Sequence, residues 1–224
     1  MSLNSEKDEI DGVVNRMLDA LSSSAPSRTG TEGISLRSKI GDMRANYFEY
    51  LRVGTFAANL LDCFTTAREA NVKLSGLIIV HQTLFDEELI GSISIEIVQV
   101  AIVFCLAAES RMIAELVFVS RDDVEIMMNR MKIVFDTARN LAADMLDSSA
   151  YQKLTALAGA LTNHLANASR PLPRMLTFEL AIVLPALALS QRVYYNAERW
   201  EELMNENKIV HPAFSPRSIR GLSV

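Results

Sequence analysis

The stretch Ser92–Val117, SISIEIVQVAIVFCLAAESRMIAELV, is apolar on nearly every side when wound at 3.6 residues per turn. Only Glu96, Gln99 and Ser110 form a narrow polar stripe, and Glu109, Arg111 and Glu115 gather near the C-terminal end. A helix that is apolar all round belongs at the centre of a fold. This segment is therefore the expected core helix, and it sets the expected class: an all-α, multi-helix bundle. Its most apolar part, Ile97–Ala108, falls short of the ~20 residues a membrane-spanning helix needs, as does Leu180–Ser190, so both read as buried core and no membrane is expected as partner.

Working outward, the same period continues on both sides, and no proline interrupts the chain between Pro26 and Pro171. Downstream, Ser120-Arg121-Asp122-Asp123 places a capping hydroxyl before an acidic first turn. The helix it starts carries Val124, Met127/Met128, Met131, Val134/Phe135, Ala138, Leu141/Ala142 and Met145 on one stripe. The three clustered methionines fit that stripe as core better than as an adaptable binding surface. A further helix spans Ala150–Ala168. The chain is expected to turn helical again near Arg174, with a kink or split at Pro185 after Leu184, and Asn196 should cap a short helix over Ala197–Asn207. The tail, Lys208–Val224, with Pro212 and Pro216, should be extended. Upstream, Leu36–Ala70 reads as one long helix in which Gly54 and Ala57/Ala58 allow a close neighbour, followed by Leu74–Leu89. Asn4–Ser22 is a first helix. The Ser/Thr/Gly/Pro-rich run Ser22–Gly33 reads as a flexible linker, so that helix is expected to be a detached arm. The domain expectation is thus residues 1–33 as helix plus linker and residues 34–224 as a single helical domain. Met1-Ser2-Leu3 reads as a cloning remnant and the whole as the C-terminal part of a longer protein.

Half of the 224 residues are hydrophobic and 22% are charged, a globular balance. The net charge of −5 is the wrong sign for a protein that grips phosphates, so direct nucleic-acid binding is not expected. Cys63 and Cys105 sit in apolar helical contexts and read as small core residues rather than a disulfide. The first residues are polar and acidic, unlike a signal peptide.

Nothing in the sequence assembles a catalytic or metal centre. His81, His164 and His211 lie in separate segments without zinc-ligand spacing, and read as surface or capping residues. Asp122-Asp123-x-Glu125 has the look of a magnesium-binding acidic motif, but helix capping and the helix dipole already account for it. No Walker loop, G-x-S-x-G elbow, Rossmann glycine pattern or paired-cysteine motif is present. The expectation is a non-enzyme with no catalytic residues, no cofactor and no metal.

The informative segment is Leu184–Pro216, LPALALSQRVYYNAERWEELMNENKIVHPAFSP. An apolar helix ends in Tyr194-Tyr195. A charged helix carrying Trp200 and Leu203 follows, and then a strap in which Ile209, Val210 and Phe214 are spread along polar sequence. Those residues are costly to expose together, so the strap should dock on the body or on a partner. The segment resembles the C-terminal region of the Mu-like phage DNA circularisation proteins. In that family Leu184-Pro185-Ala186-Leu187, Tyr194-Tyr195-Asn196, and Asn207 through His211-Pro212-Ala213-Phe214-Ser215-Pro216 have counterparts. Looser likeness extends upstream through Leu172-Pro173-Arg174 to Phe118-Val119-Ser120-Arg121-Asp122-Asp123. Two features depart from the family: Ser190-Gln191-Arg192-Val193 replaces a more usual Ala-Tyr-Arg-Leu-like run, and the family's large N-terminal domain is missing.

The resemblance implies a structural component of a phage or prophage tail or baseplate. It would act by assembly with other tail proteins, as a homo-oligomer, and reside in the virion after assembly in the bacterial cytoplasm. Tyr194, Tyr195, Trp200, Ile209, His211, Pro212 and Phe214 are the expected interface residues. The competing reading is a helical adaptor or effector domain that binds a host protein.

Overall fold

A computed structural model describes residues 6–25, 30–145 and 147–223. Helix dominates, as the periodicity implies. The elements are α1 (Lys7–Ser23), α2 (Thr31–Val53), α3 (Phe56–Glu69), α4 (Leu74–Phe85), α5 (Ser92–Ala114), α6 (Arg121–Asp144), α7 (Ser148–Ser169), β1 (Met175–Glu179), α8 (Ala186–Tyr194), a 3-10 turn (Ala197–Arg199), α9 (Trp200–Glu206) and β2 (Ser218–Leu222). The chain forms two compact units, Met1–Leu116 with Met131–Leu161, and Val117–Arg130 with Thr162–Val224. This differs from the expected division at residue 33. The expected linker falls partly on residues 26–29, and Met1–Leu3 fall at the start; both lie outside the described residues.

In the first unit α5 is the core helix. Ile97, Val98, Ala101, Ile102, Cys105, Leu106 and Ile113 are buried along it. At 23 residues and a mean hydropathy of 1.8 it is long and apolar enough to cross a membrane, contrary to the shorter apolar run read from the sequence. Of its most apolar 18-residue stretch, 56% is buried inside the protein, as a core helix requires. The expected polar stripe is not wet throughout: Glu96 is exposed, but Gln99 and Ser110 are buried.

The helix α1 is no detached arm. Ile10, Val13, Val14, Met17, Leu18 and Leu21 are fully buried, and α1 packs on α2, α4 and α5. Their spacing makes one continuous stripe, and each such side chain gains roughly 1.5–3 kcal/mol on burial, which overrides the permissive composition of the segment after it. The polar side of α1 contributes as well. The first turn of α5 has no side-chain cap of its own. Glu9 supplies one from a distance: its Oε1 accepts from Ile90 N at 2.7 Å and its Oε2 from Gly91 N at 3.0 Å. Glu6 Oε2 accepts from Ile93 N at 2.9 Å, and its Oε1 from the Ser92 hydroxyl at 3.4 Å. Two carboxylates thus meet the positive end of the helix and satisfy amides that would otherwise be orphaned. Gly91 leaves these carboxylates their place, because a Cβ would lie 2.4 Å from Glu6 Oε2 and push it aside. Arg16 adds a paired contact to Glu87, at 2.6 and 2.5 Å, in the loop before α5.

The expected single helix over Leu36–Ala70 is two. Gly54 adopts a left-handed conformation (φ 80°) and ends α2, and α3 starts at Phe56. A Cβ at Gly54 would meet nothing within 4 Å, so its role is the turn and not the close helix contact expected from its size. Burial on α6 recurs at Val124, Met131, Phe135, Ala138 and Ala142, and on α7 at Ala150, Leu154, Leu161 and Leu165. Of the three clustered methionines only Met131 is fully buried; Met127 and Met128 are half-buried.

The second unit opens with the expected cap. Ser120 Oγ accepts from Asp123 N at 3.1 Å, while Asp123 Oδ2 accepts from Ser120 N at 3.2 Å and from its hydroxyl at 2.7 Å. Two elements differ from expectation. Met175–Glu179 is a strand, not the start of a helix, and Pro185 kinks nothing: it is the N-cap of α8 (φ −60°, ψ 148°). Proline holds the residue before it extended, so Leu184 cannot carry a helix into Ala186. The tail, expected to be extended throughout, ends as β2, antiparallel to β1 with Met175 opposite Leu222 and Glu179 opposite Ser218. Leu189, Tyr194, Leu203 and Ile219 form the core of this unit, with Phe178, Leu180, Leu184 and Val193 around them.

Two outcomes should follow. Ile102→Asp, which buries an unpaired charge, should destabilise the fold by several kcal/mol in denaturant melts; Phe104→Asp, at a half-buried position, should cost less. Glu6→Ala with Glu9→Ala should remove the α5 caps, at about 0.5–2 kcal/mol each. Asp8→Ala, exposed on the same helix, should leave the melting temperature unchanged.

Candidate functional site

Two places concentrate polar or aromatic chemistry. The first lies in the core of the first unit. His81 Nδ1 and Glu109 Oε1 are 2.6 Å apart, with side chains only 5% and 0% exposed. The Cys105 thiol lies 3.5 Å from the same carboxylate oxygen and donates to Leu77 O at 3.4 Å. The expected surface or capping role for the histidines fails at His81. A signal was available: Glu109 falls on the stripe Ile102, Cys105, Leu106, Ile113 and so had to be buried on α5. A Cys–Glu–His cluster has the residue types of nucleophilic catalysis, but it has no route to a substrate. Burial pushes the Cys105 thiol well above its ordinary value, and the neighbouring Glu109 adds to this. A reactive thiol needs the opposite shift and exposure. The cluster is a buried polar knot between α4 and α5, in which Glu109 Oε1 carries both contacts and Oε2 has no hydrogen-bond partner among the described residues. His164 lies exposed on α7 and His211 exposed on the strap. Among the described residues no three His, Cys, Asp or Glu side chains are grouped to hold a metal ion. The acidic motif is spent locally: Asp123 closes the cap, and Asp122 Oδ2 accepts from Met175 N at 2.7 Å.

The second place is the C-terminal part of the second unit, where the expected interface residues lie. The structure divides them. Tyr194 is buried, and its hydroxyl accepts from Leu222 N at 3.0 Å. The Arg199 guanidinium sits 3.9 Å from the centre of its ring and is held by Glu202 at 3.0 and 2.7 Å. Burial, and then the Glu202 charge, raise the Tyr194 hydroxyl above its ordinary value. Gly221 leaves room for that hydroxyl, since a Cβ there would lie 2.7 Å from it. Tyr194 is therefore an internal fastener. Tyr195 is 86% exposed in a left-handed conformation that ends α8. Asn196 caps the next turn through Glu198 N at 2.9 Å, as expected, and Trp200 is half-buried at the start of α9.

The strap is fastened to its own chain through backbone and hydroxyl groups. Ile209 N donates to Met204 O at 2.9 Å and Ala186 N to Pro212 O at 2.7 Å; Ser215 Oγ donates to Leu184 O at 2.6 Å. Ile209 is half-buried, whereas His211 and Pro212 are exposed, Val210 is 97% exposed and Phe214 71%. The His211 and Phe214 rings lie 5.5 Å apart. The docking foreseen for the strap is thus made by its backbone and the Ser215 hydroxyl, while Val210 and Phe214 stay outside and Ile209 is half-buried. Leu187, exposed on the first turn of α8, adds to this end of the unit, and Tyr195 marks the other end of the same helix.

Thiol chemistry tests the burial of both cysteines, Cys105 in that cluster and Cys63 on α3. Cys63 is pushed up to about 11 from 9.0, chiefly by burial. Neither native thiol should react with a disulfide reagent at neutral pH, and both should react once the chain is unfolded. The folded thiol holds its proton more tightly than the unfolded one. This contribution to stability is complete below pH 9 and is lost as pH rises through about 11, which urea melts across that window should register.

No protein-family model matches the chain, and a search of curated proteins finds no match.

Proposed function

We propose that this chain is an assembly module of a phage or prophage tail or baseplate, acting through protein–protein contact and not through catalysis. The observation that carries the reading is the segment Leu184–Pro216, whose order of Leu-Pro-Ala-Leu helix, tyrosine turn, acidic helix and Ile-Val-His-Pro-Ala-Phe strap resembles the end of the Mu-like circularisation proteins. The geometry of that segment supports a contact role. A backbone held by Ala186 and Ser215 presents Val210 and Phe214 to solvent in a fixed arrangement. Apolar side chains on a preformed backbone lose little entropy when a partner covers them, which is what interface anchors need. The neighbour is another tail or baseplate protein, and the place of action is the virion after assembly in the host cytoplasm.

Truncating the strap after Asn207 would also remove Ile219 and Leu222 from the core, so point substitutions are the cleaner test. The parent and a Val210→Ser/Phe214→Ser variant should each be co-expressed with the tail and baseplate proteins encoded beside them. The parent should co-purify with one of those proteins. The variant should lose at least tenfold in affinity with its circular dichroism spectrum unchanged. Recovery of a host protein instead would establish the adaptor reading, and equal binding by the variant would remove the strap from the interface.

A further inference from the structure

The first unit contains a cleft of about 220 Å³ lined by Thr31, Glu32, Ser35, Thr66 and Glu69. Each of these side chains ends in oxygen, and neither a lysine nor an arginine lines the cleft. The helical period groups them. Thr31, Glu32 and Ser35 share the first turns of α2, and Thr66 and Glu69 lie three apart in the last turn of α3, which packs on α2. Glu32 and Glu69 stand exposed at the rim, with no ion pair or hydrogen bond among the described residues. Thr66 lies on the inner side, 3% exposed, and its hydroxyl oxygen is buried with no hydrogen-bond partner. Threonines inside the other helices behave differently: Thr65, Thr83 and Thr137 each donate to the carbonyl four residues back, at 2.9, 2.8 and 3.1 Å. A buried hydroxyl is costly to leave unpaired, so the one at Thr66 calls for a partner that the chain itself does not supply.

We infer that this cleft binds a single calcium ion. Glu32 and Glu69 supply the charge, and the hydroxyls of Thr66, Thr31 and Ser35, with water, complete an oxygen shell. Two carboxylates at one cleft repel each other until a cation joins them. The two helix ends do not decide the sign, because the start of α2 and the end of α3 carry opposite partial charges. Sites for organic cations are lined mostly by apolar and aromatic side chains, and here no such side chain is present to hold an organic stem. Hard cations take oxygen ligands, which is the whole lining. Calcium fits better than magnesium, because it accepts six to eight oxygens in flexible geometry, whereas magnesium demands a near-ideal octahedron. Zinc-type spacing of histidines and cysteines, absent from the sequence, has no bearing on a hard cation held by oxygens from two helices. The site belongs to the first unit and does not rest on the tail reading, so either can fail without the other.

Calorimetric titration of the whole chain with calcium chloride, at physiological ionic strength, tests it. The parent should bind one ion with a dissociation constant of about 10⁻⁴–10⁻³ M, the range of calcium sites with few charged ligands. Its melting temperature should rise with calcium and level off as the site fills. Glu32→Gln and Glu69→Gln should each weaken binding at least tenfold with the circular dichroism spectrum unchanged. Thr66→Val should weaken it several-fold without lowering the melting temperature of the metal-free chain, since it removes a hydroxyl that has no partner there. Asp8→Asn, exposed on α1, should bind calcium as the parent does, which separates a site from the general attraction of cations to a chain of net charge −5. If either glutamine variant misfolds, the Thr66 variant decides. A parent that binds no calcium at ten times the expected dissociation constant overturns the proposal. So does binding that Glu32→Gln, Glu69→Gln and Thr66→Val leave intact, or that Asp8→Asn weakens as much as they do.

Discussion

The first unit depends on how α5 is completed. A helix this apolar must be enclosed, and its N-terminal amides must find acceptors that its own sequence does not offer. Both needs are met by α1, which buries six apolar side chains in the unit and sends Glu6 and Glu9 to the amides of Ile90, Gly91 and Ile93. The polar and apolar sides of one amphipathic helix thus serve the same partner. The glycine at 91 is explained by the same contact, since any larger residue would displace the carboxylates.

Within the core the same helix carries a second constraint. Glu109 is fully enclosed, and His81 and Cys105 give it hydrogen-bond partners at 2.6 and 3.5 Å. Buried polar groups of this kind are weak sources of stability but strong specifiers of register, because a slip of one helical turn between α4 and α5 would leave the carboxylate without its imidazole.

What could be read from the sequence followed the range of each interaction. The core helix, the Ser120 cap and the Asn196 cap involve residues within one turn of each other or one periodic stripe, and they were legible. Gly54 and Pro185 are visible as breaks, but their effects depend on what surrounds them: Gly54 ends a helix instead of admitting a neighbour, and Pro185 begins one instead of interrupting it. The strand β1 was missed because five residues give too short a pattern, and because its partner β2 lies about 40 residues away in a tail that reads as merely extended. The α5 cap and the His81–Glu109 pair were illegible for the same reason, since they join segments 81 and 28 residues apart. Among the expected contact residues, the sequence could not separate Tyr194, which faces inward, from Tyr195, which faces out. That distinction comes from the left-handed turn at Tyr195.

The distance between the cap and the helix it serves also bears on how the chain is made. Glu9 is synthesised 81 residues before Ile90. At the usual pace of translation, about 5–20 residues per second, α1 leaves the ribosome roughly 4–16 s before its partner exists. During that interval its six apolar residues can meet α2 and α4, which are made sooner, but not the core helix itself. The two carboxylates therefore stay solvated until α5 is made, and the capping of the core helix runs backward onto the earlier α1.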